Sequence, residues 1–290
     1  MRGTRGSRGP RIGMSGQDDP ETIWNDVAAA WDESVDYVNE IAAPATDALV
    51  DSLEVTAGDR LLELAGGPGT LGERWANLVG PGGKVLVSDG SPAMVDAAAR
   101  RLSPFPNVRT AHLDLTNLDR PDSSADIVVC RFGLMFVEEP ARVLTEVHRV
   151  LAPGGRLGTM TWAGIELNPW VATVGMAAMA NGILTGGPPV GPGELFSLSD
   201  PDRLTALASD AGFGDVTVTE ADLAFGAPDV DTHVRMVERL AAPLAVAFAS
   251  ATPDQVAAVH SFVSENSAPF STGNGYEFPG KALLLTARKP

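Results

Sequence analysis

The chain has 290 residues, 44% of them hydrophobic, enough for one large core with an added lid. Its net charge of −16 repels phosphate backbones and anionic lipid headgroups, so neither a nucleic-acid nor a membrane partner is expected. No apolar run reaches the roughly 18 residues of a membrane span, and Pro243 interrupts the longest candidate, residues 240–251. The single cysteine, Cys130, excludes an intrachain disulfide and a cysteine-rich metal site, and it fits a reducing cytoplasm. It follows the apolar run Ile127-Val128-Val129 and reads as a buried strand thiol.

Residues 1–19 are a tail expected to be disordered. Arg2, Arg5, Arg8 and Arg11 alternate with glycine and small polar residues, and no apolar stretch follows to make a signal peptide. Met14 is a second candidate start. Residues 20–162 read as N-terminal helices followed by an α/β core. Ile23, Trp24, Val27 and Trp31 fall at helical spacing, and Pro44 is expected to begin a new helix before Ser52. Strands are predicted at residues 60–64, 84–88, 108–113, 126–131 and 156–162, with helices at 71–78, 94–102 and 141–151 between them. Pro81-Gly82-Gly83 and Pro153-Gly154-Gly155 read as punctuating turns.

Residues 163–199, rich in Gly, Pro and Met, read as a lid insertion of one helix and a loop. Residues 200–290 complete the core. Asp200 caps a helix with Pro201 in its first turn, residues 215–225 alternate as a strand, and residues 281–287 are a last strand. Between them, residues 229–266 form a helical insertion split near Thr252-Pro253. The fold expected is α/β: a doubly wound, mostly parallel, seven-stranded sheet with helical lid insertions. Ligands bind such a sheet beyond the carboxyl ends of its strands.

Gly67-x-Gly69-x-x-Gly72 and Asp89 match the dinucleotide fingerprint, which any nucleotide-binding turn of this kind shares. Two acids redirect the reading to S-adenosylmethionine (SAM). Glu63, at the leading edge of the loop, would repel a pyrophosphate but suits a sulfonium and an ammonium. Asp114, after the third strand, can accept from an adenine amino group.

The segments 61–72, 85–94, 112–115 and 126–162 resemble class I SAM-dependent methyltransferases. The stretch Cys130-Arg131-Phe132-Gly133-Leu134-Met135-Phe136, with the run from Glu146 to Gly155, is similar to the branch holding the ubiquinone and menaquinone methyltransferases. The resemblance implies roles by position. Glu63, Ala65 and Gly67 contact the methionine part, and Asp89 holds the ribose. Gly90 and Met94 flank the adenine, and Asp114 and Leu115 meet its amino edge. Arg131 and Phe132 face the amino acid moiety and the reacting methyl. Ala65 stands where the family usually has glycine, and Gly66 where cysteine is common, a change read as neutral. Trp31 and Tyr37 are placed over the cofactor.

Methyl transfer from a sulfonium needs alignment and a dry site but no metal, and no metal-ligand spacing is present. The catalytic residue stays open. His233 is the leading base candidate, His112 is core or cleft, and His148 and His260 are structural. Trp162, Trp170 and Met176 are candidate linings of the acceptor site, a set that favours a small apolar or planar molecule. Three readings remain compatible: a small-molecule methyltransferase acting at O, N or C, a SAM-binding protein without methyl transfer (a cyclase or a regulatory binder), and an NAD-dependent oxidoreductase.

Overall fold

The computed structural model describes residues 20–290; the tail assigned to residues 1–19 lies outside the described residues. Two helices come first, α1 (Pro20–Glu33) and α2 (Val35–Ser52). Alternation follows: β1 (Arg60–Leu64), α3 (Gly72–Val79), β2 (Lys84–Asp89), α4 (Pro92–Leu102), β3 (Val108–His112), β4 (Ala125–Arg131), α5 (Pro140–Val150) and β5 (Leu151–Trp162). The second half holds α6 (Pro169–Ala180), α7 (Pro201–Asp210), β6 (Gly214–Ala227), α8 (Val230–Leu240), α9 (Ala242–Ala249), α10 (Pro253–Asn266), β7 (Ser271–Thr272) and β8 (Gly275–Arg288).

Seven strands lie in the order β3-β2-β1-β4-β5-β8-β6, and the two-residue β7 pairs with β8 off this path. β1 to β5 are mutually parallel, and β8 is antiparallel to both β5 and β6. The order reverses between β1 and β4, so the switch-point crevice opens at the carboxyl ends of those strands, above Leu64 and Arg131. The strands flanking it are continuous apolar runs, Leu61-Leu62 and Ile127-Val128-Val129, as a sheet covered on both faces requires.

Four boundaries depart from expectation. Pro44 does not begin a helix; it sits inside α2, on the exposed side. The buried face (Val38, Ala42, Ala45, Leu49) holds the helix together, and the carbonyl that Pro44 leaves free can take water. Pro153-Gly154-Gly155 does not end the preceding helix but forms a bulge within β5. The pairing shifts there from Ala125↔Leu151 to Ile127↔Arg156, and Gly154 takes φ +77. Residues 229–266 fold into three helices rather than two, because Pro243 has no N–H to bond the Arg239 carbonyl and its ring crowds that carbonyl, and the chain breaks at Ala241 (ψ 87). The last strand starts at Gly275 and spans 14 residues. Asp200 and Thr252 cap α7 and α10, the latter through a reciprocal capping box with Gln255.

Asn168 joins β5, α6 and β8 and is wholly buried. Its amide donates to the carbonyls of Ala163, Gly164 and Lys281, and its Oδ1 accepts from Trp170 Nε1 and Lys281 N. Every polar atom of the side chain is used, so truncation strands several buried partners. Asn168→Ala should lower unfolding stability by about 2–4 kcal/mol in a urea titration; a loss below about 1 kcal/mol would contradict this role.

Candidate functional site

The turn after β1 needs unusual backbone. Ala65 (φ 51), Gly67 (φ 56) and Gly69 (φ 79) all lie in the left-handed region. Ala65 carries the steric cost of a Cβ there, and Gly133 makes the room: a Cβ on Gly133 would sit 2.3 Å from the Ala65 methyl. Gly66, which stands where cysteine is common, has no free space for a side chain. A Cβ there would meet Val87 Cγ1 at 2.6 Å and the Glu63 side chain at 3.3 Å. Around Gly67 and Gly90 a Cβ would meet nothing within 4 Å, so ligand atoms can approach the backbone at both.

Asp89 ties this turn to the next one. Its Oδ2 accepts from Gly67 N (2.9 Å) and its Oδ1 from Ser91 N (2.9 Å). Burial raises its affinity for a proton, and the N–H groups of Ser91, Gly67 and Gly90 oppose that rise. Ser91 caps α4 by accepting from Met94 N. Asn25 of α1 reinforces the cap: its Oδ1 accepts from Ser91 Oγ and Ala93 N.

Glu63 is 2% exposed, and its Oε2 has no hydrogen-bond partner among the described residues. Burial pushes its carboxyl up to about 7, opposed by the Arg131 charge and the Trp75 indole. Arg131 makes no ion pair among the described residues; its guanidinium donates to Thr46 Oγ1 (3.1 Å) and Thr70 Oγ1 (2.6 Å). Asn39 of α2 donates to Thr70 O, while its Oδ1 is buried without a partner, as is Tyr37 Oη. A buried acid, a cation and further unpaired polar atoms thus belong to the elements that frame the loop.

Asp114 is exposed and spends Oδ1 on Thr116 N and Oγ1, which leaves Oδ2 to accept. Leu115 packs half-buried beside it. His112 stands at the rim, its Nε2 2.9 Å from Gly90 O and 3.9 Å from Glu21 of α1. Phe132 follows Arg131 in left-handed backbone (φ 57), held by its N–H to Met160 O. Its ring stacks on Trp162 with centroids 4.2 Å apart, and Trp162 adjoins Trp170, which stacks on Phe225. Phe132 alone of this row is half-exposed; the other three are buried.

Several expected linings lie elsewhere. His233 is wholly buried, hydrogen-bonded to Trp170 O and stacked on Phe278, and burial holds its imidazole down to about 4; it is a core residue and no base at the cleft. Trp170 is likewise core, fixed by Asn168. Met176 is 51% exposed, on the face of α6 opposite its buried stripe. Met94 is buried with Ile23, Val27 and Ala28 of α1 and Ala242 of α9, so α1 covers it. Trp31 packs on the same cluster and donates to Leu240 O, anchoring α1 to the corner between α8 and α9. The residues missed by sequence reasoning are Asn25, Asn39, Thr46, Thr70 and Trp75. Only Ser91-Pro92, a cap followed by proline, left a local signal that this edge begins a helix. Among the described residues no group of three His, Cys, Asp or Glu side chains is placed to hold a metal, and no helix is long and apolar enough to cross a membrane.

Residues 61–155 match the family model described as a methyltransferase domain. The demethylmenaquinone methyltransferase of Clavibacter sepedonicus is 37% identical over 139 residues, covering 45% of this chain and 56% of that protein. The chain spans about half the length of the curated relatives it matches. Two solved structures share the fold. The Haemonchus contortus phosphoethanolamine N-methyltransferase 2 complex with S-adenosyl-L-methionine has a TM-score of 0.56 at 15% identity, over 89% of this chain and 57% of that one. The [4+2]-cyclase SpnF has a TM-score of 0.53 at 21% identity, over 98% and 99%.

Glu63 makes the pH dependence of stability predictable. An unfolded glutamate has the ordinary value of 4.5, and the folded one titrates at about 7. The unfolded state therefore loses its proton first, and stability falls as pH rises from 4.5 to 7. Glu63→Gln removes that penalty and should stabilise the unliganded chain at pH 8 by up to about 3 kcal/mol, with little effect at pH 4. Denaturant titrations at both pH values check it; a destabilised variant at pH 8 would mean the carboxylate is already well paired.

Proposed function

We propose, from the match of residues 61–155 to a methyltransferase domain, that this chain moves the methyl group of SAM to an O, N or C atom of a small apolar or planar molecule. The carrying observation is the buried Glu63 carboxyl with an unpaired oxygen at the end of β1. A pyrophosphate would be repelled there, whereas a cationic ligand offsets the cost of the buried carboxylate charge.

The residues present fit SAM, whose bound sulfonium supplies an electrophilic methyl carbon. Glu63 would accept from the ligand's ammonium, and Arg131, free of any acid within ion-pair reach among the described residues, would take its carboxylate. Asp89 keeps lone pairs for ribose hydroxyls, and Asp114 Oδ2 suits an adenine amino group, with Leu115 on the ring. Ala65, Gly66, Gly67 and Gly90 let the backbone approach. The helices α1 and α2, strapped to this edge through Asn25, Asn39 and Thr46 and to the helical insertion through Trp31, exclude water and serve with residues 163–199 and 229–266 as the lid.

Phe132 supplies the acceptor side. One face is taken by Trp162, and its half-exposed position leaves the ring as a platform for a flat partner. Its left-handed backbone costs of order 1–2 kcal/mol, a cost that persists where position matters. With His233 sealed in the core, an acceptor that brings its own nucleophilic atom unprotonated, or sheds the proton to water, suits the site. The acidic surface favours a small molecule over a nucleic acid. A reducing cytoplasm suits Cys130, a buried thiol whose burial pushes it up to about 12. A second reading, SAM binding without methyl transfer, draws support from the shared fold of the [4+2]-cyclase across nearly the whole chain.

Incubation with methyl-labelled SAM and a panel of phenolic, quinone and amine acceptors should yield labelled product. Bound SAM without turnover on any of them favours the second reading. Asp89→Ala should weaken SAM binding by about 1.5–3 kcal/mol, read by calorimetry; an unchanged affinity would remove the ribose from Asp89. Phe132→Leu should raise KM for a planar acceptor about three- to tenfold while SAM affinity holds. Equal loss of both would make Phe132 part of the cofactor site alone.

A further inference from the structure

A buried donor and a buried acceptor sit unpaired among the described residues beside the loop: Trp75 Nε1 on α3 and Glu63 Oε2 on β1. Trp75 is wholly buried, so its indole N–H has no water to turn to. A leucine or phenylalanine would fill this core position without stranding a donor. The two groups are near enough for the indole to favour the ionised carboxylate, yet no hydrogen bond closes between them.

We propose that Trp75 is a positioning residue for cofactor capture: its N–H closes on Glu63 Oε2 when the carboxylate is charged, which turns the other oxygen toward the ligand's cation. This rests on the SAM-binding reading of Glu63. Four groups face Glu63: Arg131 and Cys130 at the end of β4, Asp89 at the end of β2, and Trp75 on α3. Arg131 favours ionisation and Asp89 opposes it; Cys130 stays a thiol; Arg74, behind Arg131, is paired with Asp47. The ligand's cation tips the balance. Glu63 gives its proton to solvent, the indole bond closes, and no covalent bond to carbon changes. Affinity for the ligand therefore falls as pH drops below the Glu63 midpoint.

The first test needs no ligand. In the 15N-labelled chain the Trp75 indole resonance, identified by its loss in Trp75→Phe, should move downfield as pH rises through about 7. It should stay fixed in Glu63→Gln. A resonance that ignores pH, or that titrates equally in Glu63→Gln, overturns the proposal. The second test follows S-adenosylhomocysteine affinity from pH 6 to 8.5. Trp75→Phe should lower it about five- to tenfold at pH 7, move its midpoint to higher pH, and recover to within about twofold of wild type at pH 8.5. An equal loss at every pH marks Trp75 as packing only and overturns the proposal. If Trp75→Phe does not fold, benzothienylalanine at position 75 keeps the indole shape without the donor, and the same shift is expected. A wild-type chain that binds no S-adenosylhomocysteine defeats the cofactor reading, while the resonance titration still decides Trp75.

Discussion

A buried carboxyl group with one oxygen unpaired among the described residues organises this edge of the sheet. Glu63 is carried into the core by β1, whose neighbours Leu62 and Leu64 are buried, and it ends below a turn that leaves Oε2 unpaired. Burying such a group costs stability at neutral pH, so the chain holds it at a free-energy loss that a cationic ligand can reverse. The surrounding features serve the same point. Gly66 has no room for a side chain because Glu63 and Val87 occupy it, and Arg131 lends charge without closing an ion pair. Asp89 keeps the turn in place through Gly67 N.

The same edge explains the N-terminal helices. α1 is fixed to α4 by Asn25 and by Asp32, which pairs with Arg100 and Arg101; Arg101 also donates to Pro68 O in the loop. Its other side reaches the insertion through Trp31 to Leu240 O and Arg239 to Glu33. The helix rests on a small apolar cluster of its own, separate from the main core. A segment with few buried contacts and several exposed polar ones opens at lower free energy than the sheet it covers. That property suits a cover over a site that must admit two ligands.

Much of this was legible in the sequence. Residues 60–162 announce their fold because each strand is a short apolar run and each turn is marked by glycine or proline. Glu63, Asp89 and Asp114 could be picked out because an acid at a strand's carboxyl end has few structural uses. What was hidden depends on contacts between distant residues. Asn25 caps a helix 66 positions away, a bond with no local signature. His233 opens a helix, as a cleft residue might, yet the antiparallel pairing of β6 with β8 brings Phe278 against it and seals it in. Pro44 and Pro153 looked like boundaries because proline usually is one; burial of one face of α2 and a bulge in β5 absorbed them. Phe132 was placed by resemblance, but its left-handed backbone and its stack on Trp162 are visible only in three dimensions.

The central claim is that the crevice above β1 and β4 receives a cationic nucleoside through Glu63 rather than a pyrophosphate. Calorimetric titration with S-adenosylhomocysteine and with NAD, in two buffers of different ionisation enthalpy near pH 7, tests it most directly. The account predicts saturable binding of S-adenosylhomocysteine with net proton release to the buffer, and no heat with NAD. Saturable NAD binding with no S-adenosylhomocysteine signal would contradict it.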